Sequence, residues 1–364
     1  MRLVKKEKMW YNIKNTIQTG VILLIRFNND YNRGALPEVL AALENTNDNS
    51  FAGYGEDEWC ERACGLIRRL CGCPDADIRF FPGATQANFV IISAALSPVQ
   101  SVISADTGHI NCHEAASVES SGHKILSLPG KDGKITAEQI EACAKAYEQS
   151  GEAEYLTEPK MVYLSFPTEM GTLYSKKELA AIHELCQKYG MYLFVDGARM
   201  GYGLASEEND LTLADFAALC DVFYIGGTKC GALCGEAVVF THGNMPRQFE
   251  TMVKRHGAMV AKGRLNAVQF DALFTDGLYE KICAPAVRLA LKLRDGLAAK
   301  GYRFAIDSPT NQQFIIVENS RLPELGGKVA YSFIEKYDAE HTVIRLATSW
   351  ATTEEQVDEL LRLL

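Results

Sequence analysis

The sequence predicts an α/β protein: a large domain built on a mostly parallel sheet, followed by a smaller C-terminal α+β domain. Three observations predict it. Short apolar runs closed by glycine, such as Met191–Val195 and Val222–Ile225, read as buried strands. They alternate with amphipathic stretches such as Ser175–Tyr189, the order that produces strand–helix–strand crossovers. From Leu278 onward, a long helix leads into short strands interleaved with helices. The 364 residues, 47% of them hydrophobic, suffice for one large and one small core.

Several classes of function are excluded early. The formal charge of −9 and the lack of a sustained Lys/Arg run argue against a nucleic-acid surface. No run of about 20 apolar residues exists to span a membrane. Eleven cysteines, several of them (Cys60, Cys64, Cys143, Cys186, Cys220) inside apolar patterns, read as the reduced thiols of a cytoplasmic protein. The Cys71/Cys73 and Cys230/Cys234 spacings lack a paired CxxC, so no metal is expected. Residues 1–26 start basic and end apolar, but Val21–Ile25 is too short for the core of a signal peptide; they read as an extension of uncertain role.

In chain order, the polar opening Phe27–Gly34 precedes a helical pattern over Pro37–Leu43. A glycine-flanked loop around Tyr54 leads to a helix whose predicted apolar face is Trp59, Ala63, Leu66 and Leu70. Ile78–Phe81 is a strand running into Gly83, Ala84 and Thr85, where a helix begins; that junction points backbone N–H groups at an anion. Ser101–Ala105 is a further strand. His109 and His113 follow it, four apart but without a third metal ligand. Thr136–Tyr147 is amphipathic, and Lys160–Phe166 is a continuous apolar strand ending at Thr168 and Glu169. Ser175 and Glu178 form a capping-box pattern for the next helix, which Gly190 closes. Gly235–Phe240 is a strand and Met245–Gly257 a helix. Beyond Leu278–Lys300, the strands Tyr302–Ile306, Phe314–Glu318 and Val343–Ala347 interleave with predicted helices over Glu324–Tyr337 and Thr352–Leu364.

The chemistry concentrates where two strands end. Met191–Val195 runs into Asp196, Gly197 and Arg199; Val222–Ile225 runs into Gly226, Gly227, Thr228 and Lys229. A carboxylate and a lysine projecting from neighbouring strand ends suit pyridoxal 5'-phosphate: the lysine forms a Schiff base with the aldehyde, and the carboxylate keeps the pyridine nitrogen protonated. Arg345 lies inside an apolar strand, where an unpaired charge is costly, so it needs an anion: a substrate α-carboxylate or, alternatively, a structural acidic partner.

VDGAR followed, 33 residues after its Asp, by Lys229 in a Gly/Thr/Gly setting resembles the threonine aldolase and β-eliminating lyase family of fold type I enzymes. The similarity runs from about Phe27 to the C-terminus. It implies a seven-stranded, mostly parallel large domain over 27–260, with 27–45 also touching a small domain over 261–364. It implies pyridoxal phosphate held by Gly83, Ala84, Thr85, His109, Thr168, Asp196, Arg199, Thr228 and Lys229, with Lys262 reaching a neighbouring subunit's phosphate and Arg255 and Arg264 competing for that part. His109 stacks on the ring, and Glu114 matches a family carboxylate. Asn29, next to Asp30, together with Tyr54, Arg199 and Arg345, contacts substrate, and Asp57 lies near the cofactor. Glu169 stands where many relatives carry histidine; His109, Glu169 or a water is the base that takes the substrate hydroxyl proton.

The implied activity is aldol cleavage of a β-hydroxy-α-amino acid such as L-threonine or L-allo-threonine to glycine and an aldehyde, in a homodimer or homotetramer. β-Elimination or transamination on the same scaffold, and cofactor binding without turnover, are the alternatives.

Overall fold

The computed structural model describes residues 24–364, so the reading of residues 1–26 lies almost wholly outside them. The strands are β1 (Ile25–Arg26), β2 (Asp77–Phe81), β3 (Gln100–Ala105), β4 (Lys124–Leu128), β5 (Glu158–Ser165), β6 (Tyr192–Asp196), β7 (Val222–Gly226), β8 (Glu236–Phe240), β9 (Arg303–Ile306), β10 (Gln312–Glu318), β11 (Val329–Ala330), β12 (Ser332–Lys336) and β13 (His341–Ala347). Seven form one sheet in the order β2-β8-β7-β6-β5-β3-β4. It is parallel except for β8, which runs antiparallel to both neighbours.

Every residue of β7 and β8 is buried, because helices cover both faces of the sheet and leave no polar side. Alternation sorts the side chains. Phe194, Tyr224, Val238 and Phe240 pack with Ala87, Val90 and Ile91 of the Ala84–Ala95 helix. Leu193, Val195, Phe223, Ile225, Ala237 and Val239 pack on the opposite face. Burying one such side chain stabilises by about 1.5–3 kcal/mol.

The second sheet, β12-β13-β10-β9, is antiparallel. Leu289, Leu293 and Leu297 of the Leu278–Ala299 helix and Val357 and Leu360 of the Glu354–Leu363 helix cover it. β1 pairs in parallel with β11 as a separate two-stranded sheet.

Several expectations need correction. The helix predicted over Glu324–Tyr337 is a short helix, Leu322–Gly326, followed by β11 and β12. Gly326 and Gly327 weaken the helix there, and aromatic and β-branched residues then favour pairing with β13. The buried face of the Glu58–Cys71 helix is Cys60, Ala63, Ile67 and Cys71, with Leu70 exposed; Ala63 lies on it as expected, and Cys60, Ile67 and Cys71, one position on, take the places expected of Trp59, Leu66 and Leu70. The helix predicted over Met245–Gly257 is limited to Phe249–Arg255. Strand β4 and the helices Leu213–Leu219 and Arg264–Phe274 were not anticipated. The Ser175 capping box and the left-handed Gly190 cap are present as predicted.

Candidate active site

Lys229 and Asp196 reach one place because β6 and β7 are neighbours and both run into glycine. A side chain on Gly197 would collide with the Tyr224 carbonyl, and one on Gly226 with the Ala198 backbone. The Gly226 N–H instead donates to the Gly197 carbonyl at 2.9 Å, so the two turns nest. Lys229, Arg199, His109, Glu169 and Arg345 line one cavity of about 520 Å³, closed on one side by β12.

Asp196 is buried and fully engaged. Its Oδ1 accepts from the Ala198 N–H at 2.9 Å; its Oδ2 accepts from the Tyr163 hydroxyl and from Asn88 Nδ2 at 3.2 Å. Burial alone would raise its pKa, but the His109 charge and the Tyr163 hydroxyl hold it below the usual carboxylate range. Asn88 also donates to Glu114 Oε1 at 2.7 Å, and that oxygen lies 2.7 Å from His109 Nδ1. Burial works against the His109 imidazolium; Glu114 and Asp196 outweigh it and raise the pKa. Glu114 is thus a buried partner of His109, not a solvated helix residue.

Burial and the Arg199 charge lower the Lys229 pKa. Glu169 Oε1 accepts from the Ser165 hydroxyl at 2.6 Å and the His109 backbone N–H at 2.9 Å, and burial raises its pKa. Arg199 donates to Asp30 through Nε (2.7 Å) and Nη2 (3.1 Å), and Asn311 donates to the same carboxylate at 2.9 Å. Among the described residues Arg345 has only neutral partners: Gln312 Oε1 at 3.0 Å, the Asn28 carbonyl at 3.1 Å and Ser332 Oγ at 3.2 Å. Its Nε is buried and unbonded. Burial, with Arg199 adding to it, brings its pKa down to about 10.

The Ala84–Ala95 helix starts at Gly83 with neither a side-chain cap nor an acidic residue in its first turn. The N–H groups of its first turn, Ala84 and Thr85 among them, have no partner within the helix and suit an anion. Thr228 Oγ1 donates to Glu236 Oε1 at 2.8 Å.

Other expected residues lie outside the Lys229 cavity. Asn29 accepts from the Tyr31 N–H in a local turn, while Tyr31 itself lines the cavity. Thr168 pairs with Thr172 at 2.7 Å. Tyr54 is exposed beneath the Lys254 ammonium and lines a separate cavity. Lys262 is exposed, and Arg264 stacks on Phe51. Asp57 caps the Glu58–Cys71 helix. Reading the sequence missed Asn88, Tyr163 and the partnership of Asp30 with Arg199. For Asn88 a signal existed: an amide between Ala87 and Phe89, at the head of the apolar run of its helix.

A profile of the beta-eliminating lyase family matches residues 35–359. The threonine aldolase of Leishmania major is 40% identical, with a TM-score of 0.89 covering 93% of this chain and 98% of that one. A low specificity L-threonine aldolase of a Pseudomonas species is 29% identical over 92% of this chain and 95% of its own length. The fold alone extends to an aspartate aminotransferase mutant of Thermus thermophilus, 16% identical with a TM-score of 0.70 over 97% of this chain and 95% of that one. With its seven-stranded sheet and a match spanning almost the whole length, this chain belongs to the beta-eliminating lyase family.

Proposed function

We propose that the chain is a pyridoxal phosphate-dependent aldehyde-lyase that cleaves a β-hydroxy-α-amino acid of the L-threonine or L-allo-threonine class to glycine and an aldehyde. The observation that carries this reading is Arg345, a mostly buried guanidinium facing the Lys229 cavity with no carboxylate in ion-pair reach among the described residues. An incoming α-carboxylate supplies the missing charge and matches the guanidinium fork. The Leishmania and Pseudomonas relatives, both threonine aldolases by name, support the substrate class.

The donor set suits the cofactor: a buried amine, an ionised carboxylate beside it and an uncapped helix start. Lys229, Asp196, Thr228, His109 and the Gly83–Thr85 turn would hold it. When bound, pyridoxal phosphate supplies an electron-withdrawing ring that accepts the electron pair released as Cα–Cβ breaks. The lowered Lys229 pKa enlarges the neutral fraction that attacks an aldehyde. Asp196, kept ionised, favours a protonated ring nitrogen. His109, steadied by Glu114, offers a flat wall for stacking.

Glu169 is the base we assign to the substrate hydroxyl: burial moves its pKa toward neutrality, and Ser165 and the His109 N–H fix its orientation. Tyr54 and Lys262 do not line this cavity in a single chain, so we assign them to a neighbouring subunit's site in a homodimer or homotetramer. The eleven free thiols support a reducing, cytoplasmic setting.

The test is to incubate the protein with L-threonine and L-allo-threonine and assay aldehyde, 2-oxo acid and ammonia separately. Aldehyde with equimolar glycine is expected; ammonia with 2-oxo acid instead would assign β-elimination.

A further inference from the structure

Glu236 is a buried carboxylate that takes no part in the scheme above. It is 2% exposed, opens β8, and pairs across the sheet with Phe81 on one side and Gly226 on the other. Alternation along β8 puts it on the face of Val238 and Phe240, which pack against the Ala84–Ala95 helix. Phe81, its direct neighbour, leads through Pro82 and Gly83 into the uncapped start of that helix. Glu236 therefore lies beside the end of the helix most suited to an anion. Its Oε1 accepts from Thr228 Oγ1 at 2.8 Å, and the same Thr228 oxygen accepts from the Gly235 N–H at 3.0 Å. Its Oε2 is buried and has no partner among the described residues.

A carboxylate beside a phosphate site is repulsive unless it carries a proton. With Oε1 occupied as an acceptor, the proton belongs on Oε2, the atom that lacks a partner. Such an O–H needs an acceptor, and burial without one is costly.

Resting on the cofactor reading, we propose that Glu236 is a phosphate-binding residue: in its acid form it donates from Oε2 to a phosphate oxygen of the cofactor while fixing the Thr228 hydroxyl through Oε1. Burial pushes its pKa up to about 8, against the opposing influence of Thr228 and Lys229, so the acid prevails near neutrality. The titratable groups facing it are Lys229, Asp196 and Tyr224; burial places Tyr224 well above the ordinary phenol range, and Asp196 stays ionised throughout the alkaline window. Above about pH 8, an ionised Glu236 opposes the phosphate dianion.

The test compares pyridoxal phosphate with pyridoxal, which lacks the phosphate. The cofactor-stripped full chain is titrated with each aldehyde between pH 7 and 9.5, and absorbance is followed. Condensation at Lys229 is common to both, so the ratio of the two dissociation constants isolates the phosphate. In the native chain the preference for pyridoxal phosphate is expected to fall about tenfold across this range. In Glu236→Gln it is expected to stay constant at its neutral-pH value, and in Glu236→Ala to be weakened about tenfold or more already at pH 7. A pH-independent preference in the native chain overturns the inference whether or not the variants fold. A chain that binds neither aldehyde overturns the cofactor reading itself, and this inference with it.

Discussion

Arg199, in the turn after β6, and Arg345, on β13, line one cavity, and their surroundings differ in kind. The Arg199 fork is filled by Asp30, which Asn311 also grips. The Arg345 fork meets an amide, a hydroxyl and a peptide carbonyl, all neutral. Charge on the Arg199 side is balanced within the chain before any ligand arrives, and the pair ties the Phe27–Gly34 opening to the turn after β6. Arg345 has no such counter-charge among the described residues. One arginine is part of the frame; the other is the one we propose as the receptor.

Breaking the internal pair tests this contrast most severely. Asp30→Asn leaves Arg199 buried and uncompensated, and the urea midpoint is expected to report a loss of about 3–5 kcal/mol. Replacing both, Asp30→Leu with Arg199→Met, is expected to recover most of that loss, since an apolar pair has no charge to strand. If the single change is silent, the frame role of Arg199 fails. The same pair sets acid sensitivity. Burial would raise the Asp30 pKa, but Arg199 and Lys229 depress it well below the ordinary aspartate value of 3.8. Its stabilisation is therefore full above that value and is lost as pH falls below it. Urea unfolding at stepped pH is expected to show this loss in the native chain and not in Asp30→Asn.

On the receptor side, Arg345→Gln is expected to raise KM for the amino acid about 10²-fold, by removing a charge-assisted contact, with thermal stability unchanged or slightly higher. A stability loss like that of Asp30→Asn would show that Arg345 is structural after all. A control far from both arginines, Ser175→Ala at the capping box, is expected to cost about 1 kcal/mol in thermal unfolding and leave KM alone.

Residues with a local rule behind them were legible in the sequence. Asp196 and Lys229 end apolar runs at glycines, Arg345 interrupts an apolar strand, and Ser175 obeys a capping pattern. What stayed hidden depends on tertiary neighbours: that Asp30 meets Arg199, 169 positions away, and that Asn88 links Glu114 to Asp196. The Glu324–Tyr337 error has the same origin. The segment ends a helix and then finds a partner strand in β13, a pairing that no local periodicity announces.

β12 lies at the border of its sheet, hydrogen-bonded on one side only among the described residues, and Ser332, Phe333, Ile334 and Glu335 form a wall of the Lys229 cavity. Apart from Ser332, which bonds Arg345, substitutions along such a border disturb a single ladder and leave Lys229, Asp196 and Glu169 untouched. On the reading proposed above, the range of accepted aldehydes is expected to change with substitutions at Phe333 and Ile334 while Lys229, Asp196 and Glu169 keep their places.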